Sequence, residues 1–326
     1  MFKIGNLELP DKALCLAPME DITDPSFRYM CKKFGADILY TEFISSDGLI
    51  RDGKKSVQKL NIYDYEKTIG IQIYGHIPEA MEEAAKIVDK TGADIIDINF
   101  GCPVKKIANR GAGSGILNNL PLMKDITERI IKSTNKPVTV KTRLGWDSNN
   151  LNILEVAKML QDIGVKAITI HGRTRAQLFK GEADWTLIGE VKNHPDIKIP
   201  IIGNGDIKNG QKTDEYFKKY SVDAIMIGRA SIGKPWIFKE IKHFIKTGEE
   251  LPQPNISEKV DIATEHFKKS LEFKETPRAI YEMRRHFNLY FKGIPDFKET
   301  RLKLLTCCDE NEIFKMLEKI KDFEKE

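Results

Sequence analysis

The chain has 326 residues, room for a large barrel and a small second domain, with 41% hydrophobic and 31% charged residues, the balance of a globular fold. No apolar run reaches the roughly 18 residues that make a membrane-span candidate, and Met1–Gly5 lacks the charged-then-apolar opening of a secretory leader, so the expected compartment is the cytoplasm. The net charge of +4 permits a nucleic-acid partner without requiring one; five cysteines (Cys15, Cys31, Cys102, Cys307, Cys308), odd in number and without paired zinc-ligand spacing, argue against a disulfide framework, and no metal site is expected.

In chain order, short apolar runs fall at Ala13–Met19, Asp37–Phe43, Thr68–Gly75, Ala93–Cys102, Pro137–Gly145, Ala167–Arg173, Ile199–Ile207 and Asp223–Arg229. Most are nearly continuous, which predicts parallel strands covered on both faces. Helical spacing separates them. In Pro78–Thr91, Ala80, Ala84, Ile87 and Val88 share a face and Gly92 is the expected stop; Leu151–Ile163 is stopped in the same way by Gly164. Eight such units over about 230 residues predict an α/β fold, a (β/α)8 TIM barrel. A doubly wound sheet would carry a glycine fingerprint after its first strand, where this chain has Ala17-Pro18-Met19-Glu20.

After the eighth unit the pattern changes. Thr247–Ile256, with Gly248, Pro252 and Pro254, reads as a linker, and no strand pattern follows from Ser257 onward. Thr276-Pro277 is the expected start of a helix with Ala279, Met283, Phe287 and Tyr290 on one face, closed by Gly293. The expected organisation is a barrel over 1–246, a linker over 247–256 and a small C-terminal all-helical domain over 257–326.

A barrel of this kind carries its chemistry at the C-terminal ends of its strands. Those ends supply Ala17, Pro18 and Met19; Gln72; Asn99 to Pro103; Lys141 and Arg143; His171-Gly172-Arg173; Gly203-Asn204-Gly205-Asp206; and Gly228-Arg229. One polar strand end is ordinary; this many converging on one mouth make a site. The seventh and eighth ends have the makings of a phosphate site: Gly203, Gly205 and Gly228 allow close backbone approach and Arg229 can grip an anion. With Gln72, Lys141 and His171 around it, such a site suits flavin mononucleotide, although the same groups could hold a phosphosugar.

Cys102 precedes a loop rich in glycine and base, Pro103 to Gly115, that reads as a mobile cover for an anionic substrate. Lys105, Lys106 and Arg110 could depress the thiol pKa or meet phosphates. Nucleophile, general acid and bystander are all open to such a thiol; with no matching base in the sequence, general acid is the reading.

The blocks Asn99-Phe100-Gly101-Cys102-Pro103-Val104-Lys105-Lys106, Ala17-Pro18-Met19, Lys141-Thr142-Arg143, His171-Gly172-Arg173-Thr174, Gly203-Asn204-Gly205-Asp206 and Met226-Ile227-Gly228-Arg229 together resemble the tRNA-dihydrouridine synthases, most nearly their bacterial DusB branch. The resemblance spans essentially the whole chain, and Phe100 is a small departure where methionine or another apolar residue is usual. It implies an FMN-dependent reduction of uracil in folded tRNA, driven by NADPH or NADH, without a membrane or obligate protein partner. It implies that Ala17, Pro18, Met19, Gln72, Lys141, His171, Asn204, Gly205, Asp206, Gly228 and Arg229 hold FMN, that Cys102 is the catalytic acid, and that Asn99 and Arg143 lie near the uracil.

The helical region offers a further expectation. It carries 15 basic and 15 acidic residues from Ser257 to Glu326, but Arg278 to Lys303 holds seven basic and three acidic ones. Arg278, Arg285 and Lys292 recur every seven residues and form a helical stripe that can track a phosphate backbone. Three rivals stay open at this level: a flavin barrel acting on a free pyrimidine, an RNA-binding module without catalysis, and a phosphosugar aldolase or isomerase using Lys141 as a Schiff base.

Overall fold

The computed structural model describes residues 1–324, and all eight apolar runs contribute strands to one parallel barrel. An antiparallel hairpin that the apolar pattern does not reveal comes first: β1 (Phe2–Ile4) and β2 (Leu7–Leu9), turned at Gly5 with φ +61°. Then follow β3 (Ala13–Leu16), β4 (Leu39–Tyr40), β5 (Ile44–Ser45), β6 (Ile69–Tyr74), β7 (Ile95–Asn99), β8 (Val138–Arg143), β9 (Ala167–His171), β10 (Ile201–Asn204) and β11 (Ala224–Ile227). The order round the sheet is β3-β11-β10-β9-β8-β7-β6-β4, and β5 pairs with the end of β6. A Cys15–Ile38 bridge joins β3 to the chain leading into β4 and closes the ring. The second run is thus the weakest strand, only Leu39–Tyr40 long, and β5 follows just beyond the run's expected end at Phe43.

Strand periodicity divides the side chains between two layers. Leu14, Leu16, Ile71, Ile73, Ile96, Ile98, Val138 and Val140 face outward and pack under the helices. Ala13, Cys15, Ile95, Ala167, Ile202, Ala224 and Met226 face inward, where Ile4 and Leu9 of the hairpin join them. Small alanines on three strands leave the room that the hairpin side chains fill. Gly164 turns left-handed (φ +103°) beyond the helix Ile153–Asp162, as expected; Pro78–Asp89 instead closes on Lys90 in ordinary helical geometry, before Gly92 is reached.

Beyond the barrel lie the helices Ile237–Thr247, Ile256–Phe273, Thr276–Tyr290, Lys298–Thr306 and Glu310–Ile320. Gly248, at φ +78°, ends the first, and Asn255 with Glu258 forms a capping box at the start of the second. Thr276 is the first helical residue rather than the cap, which is Glu275; its hydroxyl donates to Glu310 instead. Val260, Phe267, Met283, Phe287, Tyr290, Ile313 and Leu317 form a second core, and Trp236 is part of it. The final residues of the expected 257–326 segment, Lys325 and Glu326, lie outside the described residues.

The seam between barrel and helices is polar and buried. Asp24 caps the barrel helix Pro25–Lys33 by accepting from Phe27 N–H, and Lys274 donates to both Asp24 and Glu282. His266 and His286 stack edge to face against it, with ring centroids 4.5 Å apart. Burial holds the His286 ring down at about 4 and pushes His266 well below its ordinary value as well. Among the described residues, no helix is long and apolar enough to cross a membrane.

Candidate active site

The period-two alternation that sends isoleucines outward sends polar residues inward at the C-terminal ends of the strands. Gln72 on β6, Asp97 and Asn99 on β7, Thr139, Lys141 and Arg143 on β8, Thr169 and His171 on β9, and Asn204 on β10 all follow from this parity. Above them opens a cavity of about 840 Å3. Its wall includes Ala17, Pro18, Met19, Asn99, Cys102, Lys141, Arg143, His171, Asn204, Gly205, Asp206, Gly228 and Arg229. Thirteen positions scattered from 17 to 229 therefore meet at one mouth. Of the barrel residues expected at the site, Gln72, Lys105 and Lys106 are not in that wall.

Gln72 lies beneath the floor, fully buried, with its amide already committed: Nε2 donates to Asp97 Oδ2 at 2.5 Å, and Oε1 accepts from Asn99 Nδ2 at 2.8 Å. Lys105 and Lys106 are exposed on the short helix Lys105–Ala108. The loop around them is exposed at its start and packed at its far end. Residues 113–117 are buried in a 3-10 helix, and a Cβ on Gly115 would stand 2.1 Å from the Ala108 carbonyl oxygen. Gly113 and Gly115 allow this close packing, while Gly111, at φ +79°, stands in open space.

Cys102 is 8% exposed and opens onto the cavity. Its backbone is clamped at both ends. Asn99 Oδ1 accepts from the N–H groups of Gly101 (3.0 Å) and Cys102 (2.9 Å), while the Cys102 carbonyl accepts from Ser114 N–H (3.0 Å) and Oγ (2.8 Å). The thiol pKa is shifted upward, chiefly by burial, against weaker opposition from the Val104 backbone, Arg143 and Lys141. This corrects the expectation that Lys105, Lys106 and Arg110 depress it. A thiol that keeps its proton can give one away; it is poorly suited to nucleophilic attack.

Lys141 donates to Asn204 Oδ1 at 3.2 Å, and burial followed by Arg143 lowers it to about 8. Burial, then Lys141, Arg143, Arg173 and Arg229, hold His171 well below its ordinary value, so it is neutral at neutral pH. Its Nε2 faces Arg173 Nη1 at 3.3 Å, which assigns that nitrogen as the acceptor. Arg143 is satisfied by backbone: Nε donates to Gly101 O (2.7 Å), and Nη1 donates to Thr174 O (2.9 Å) and Leu178 O (2.8 Å). It lines the mouth and also staples the Cys102 turn to the loop after β9.

The glycine-rich end differs in detail from expectation. A Cβ on Gly203 would fall 2.1 Å from the Trp185 ring, so Gly203 makes room for tryptophan rather than for an anion. Gly205 does adopt a glycine-favouring φ of +130° at the cavity wall. Asp206 Oδ2 accepts from Arg173 Nη2 (2.5 Å) and Ala183 N–H (2.8 Å), and Oδ1 accepts from Arg229 Nη2 (3.1 Å). Burial would raise its carboxyl, but the bond to Arg173 and the two arginine charges hold it below the ordinary value. Asp206 is thus an anion committed to aiming two arginines, and of these Arg229, more than half exposed, is the one open to an incoming anion. Sequence reasoning names Arg173 at its strand end without giving it a role, and misses Phe179. Arg173 stands inside a quoted motif; Phe179, 54% exposed with Arg143 and Arg229 against its ring, has no sequence signal.

Of the helical stripe, Arg278 bonds Glu282 Oε1 at 2.7 Å and Arg285 reaches the Asp21 backbone oxygen at 3.3 Å, while Lys292 is exposed. Arg278 and Arg285 therefore lie at the seam, reaching Gln58 and Asp21, whereas the helix ends at Tyr290 and leaves Lys292 in the turn beyond it, so the expected stripe holds two of its three residues. Tyr290 and Phe291 are core, and Tyr281 is exposed.

A family model described as Dihydrouridine synthase (Dus) matches residues 15–325. A probable tRNA-dihydrouridine synthase from Rickettsia bellii is 41% identical over 302 residues, 92% of each chain. The tRNA-dihydrouridine synthase B of Pseudomonas aeruginosa is 39% identical over 300 residues, 92% of this chain and 89% of that one. A solved morphinone reductase variant in complex with tetrahydroNAD shares the fold, with a TM-score of 0.54 at 12% identity over 78% of this chain and 91% of that one.

Proposed function

The chain belongs to the dihydrouridine synthase family, and from that premise we propose that it is a tRNA-dihydrouridine synthase, reducing the uracil double bond of particular uridines with FMN as cofactor and NADPH or NADH as electron source. The observation that carries the reading is Cys102, a thiol kept protonated by burial, facing the cavity that Lys141, His171 and Arg229 also line.

The residues fit FMN. A cavity of about 840 Å3 is in the range of cofactor sites. Arg229, braced by Asp206, and the backbone at Gly205 and Gly228 would take the phosphate. Ala17, Pro18 and Met19 would supply a largely apolar wall, and Asn204 and neutral His171 hydrogen bonds. Lys141 would set positive charge beside the ring, and Gln72 would act from below the floor. The chemistry the bound flavin supplies is hydride transfer from the nicotinamide to the uracil ring.

The target uridine must leave its stack to reach this mouth. Cys102 Sγ then gives its proton to the uracil carbon next to the one receiving hydride, the S–H bond breaking as the C–H bond forms. The thiolate left behind faces the charges of Arg143 and Lys141, which stabilise it until solvent returns a proton. Asn99 and Arg143 hold the Cys102 turn beside the uracil. Barrel 1–246 would be catalytic, 247–256 the linker, and the helices from 257 onward the tRNA-binding part, with Arg278, Arg285, Lys292, Lys105 and Lys106 meeting phosphates. The expected setting is the cytoplasm, with no obligate protein partner.

The test is optical. The purified protein, reconstituted with FMN if needed, should show a flavin spectrum that bleaches with NADPH and recovers anaerobically only when unmodified tRNA transcript is added. A protein that takes up no flavin would overturn the reading; recovery with free uracil alone would move the substrate to a small pyrimidine.

A further inference from the structure

Beneath the cavity floor, four side chains form a hydrogen-bonded series, two of which, Asp97 and Thr139, the mechanism above does not use. Thr139 Oγ1 donates to Asp97 Oδ1 at 2.5 Å. Gln72 Nε2 donates to Asp97 Oδ2 at 2.5 Å, Asn99 Nδ2 donates to Gln72 Oε1 at 2.8 Å, and Asn99 Oδ1 accepts from the N–H groups of Gly101 and Cys102. Gln72, Asp97 and Thr139 are at most 1% exposed, so water cannot substitute for a missing partner.

A carboxamide has nearly the same shape in its two flipped orientations, and only its partners decide which end donates. Two carboxamides in series therefore share one polarity. An ionised carboxylate can only accept, so Asp97 compels Gln72 to present Nε2 to it. Gln72 Oε1 must then face Asn99, Asn99 must present Nδ2 to Gln72, and Asn99 Oδ1 is left for the turn that carries the thiol. With the opposite polarity, the Asn99 amide nitrogen would confront two backbone N–H groups, donor against donor, and the Cys102 turn would lose its anchor.

We propose that Asp97 is a positioning residue for Cys102: as an obligate acceptor it sets the orientation of Gln72 and Asn99 in turn, and so holds the Gly101–Cys102 backbone with the thiol toward the cavity. Asp97 does not line the cavity; its charge acts on Lys141, which does. The importance of the held thiol rests on the function proposed above; the relay itself does not.

The test is a polarity swap. In Asp97→Asn, with Thr139 still donating to the side-chain oxygen, the new amide group meets the Gln72 amide group and the series inverts. Amide exchange at Gly101 and Cys102 should quicken by about tenfold, the effect of losing one net hydrogen bond. Alkylation of Cys102 by iodoacetamide, read on its own peptide by mass spectrometry, should change in rate with it. The double variant Asp97→Asn with Gln72→Glu restores every donor–acceptor pair with the charge moved by one residue: the amide introduced at position 97 would donate to the carboxylate introduced at position 72, and Asn99 would donate to that carboxylate's other oxygen. Exchange at Gly101 and Cys102 should return to the parent rate, although both variants change the same buried site. A merely structural role predicts that the double variant is worse than either single one, and that result, or unchanged exchange in Asp97→Asn, would overturn the proposal. If tRNA fails to reoxidise the parent protein, the functional reading falls while these exchange rates still judge the relay.

Discussion

The barrel mouth and the helical region both present arginines, but in opposite conditions. At the mouth, Arg143 and Arg173 are at most 2% exposed and spend their donors mainly on backbone carbonyls and Asp206. On the helix Thr276–Tyr290, Arg278 and Arg285 are about half exposed and hold replaceable partners such as Glu282 and Asp21. Buried guanidinium groups cost much to desolvate and so keep one geometry; exposed pairs are worth little and yield to a better anion. The first arrangement suits a reacting centre whose positions must not drift. The second suits a surface that exchanges its own carboxylates for phosphates.

The hardest test of this contrast is Cys102→Ala. Removing a general acid should slow anaerobic flavin recovery by tRNA about a hundredfold or more, with a far smaller effect on bleaching by NADPH, measured by stopped-flow absorbance. Next is Arg229→Ala, which removes the exposed cation at the anion end: FMN affinity should fall about tenfold, followed by the fluorescence of released flavin.

The helical side should respond in another currency. The triple variant Arg278→Ala, Arg285→Ala, Lys292→Ala should weaken tRNA binding without regard to sequence and flatten its dependence on salt, the slope of log K against log salt falling by about three. Asp21→Asn, which releases Arg285, should strengthen binding slightly; weaker binding would mean that Asp21 holds Arg285 in its working position. Filter binding at several salt concentrations reads both.

The seam between the two regions should respond in stability rather than in rate or binding. His286 titrates at about 4 when folded and near its ordinary value when unfolded, so between these the unfolded chain binds more protons and stability falls as pH falls. The contribution, on the order of 3 kcal/mol, is complete above the unfolded value and is lost progressively toward about 4. Asp24, held low by Lys274 against the push of burial, loses its pairing only at still lower pH. Calorimetry should show a melting temperature that declines below neutrality, and His286→Leu should blunt that decline.

Much of this is legible in the chain. Near-continuous apolar runs betray strands buried on both faces, and parity along them sends Lys141, His171 and Asn204 inward. The Asn99–Lys106 block identifies the thiol because so specific a string has few other uses. What stays hidden depends on neighbours distant in sequence. Gly203 reads as an anion-binding glycine until Trp185 is seen against it, and Asp206 reads as a ligand until Arg173 and Arg229 take its oxygens. Gln72 reads as a cavity residue until Asp97 and Asn99 claim its amide, and Lys292 reads as part of a helical stripe until the helix is seen to end at Tyr290. Cys102 reads as depressed by the lysines three and four places on, yet burial under the mouth raises it. Periodicity and residue type are local properties, so the barrel, the thiol and the cluster of polar strand ends follow from the chain alone. The partners, the desolvation and hence the protonation states were decided by the folded arrangement, because electrostatics and hydrogen bonding act through space between residues that the chain keeps far apart.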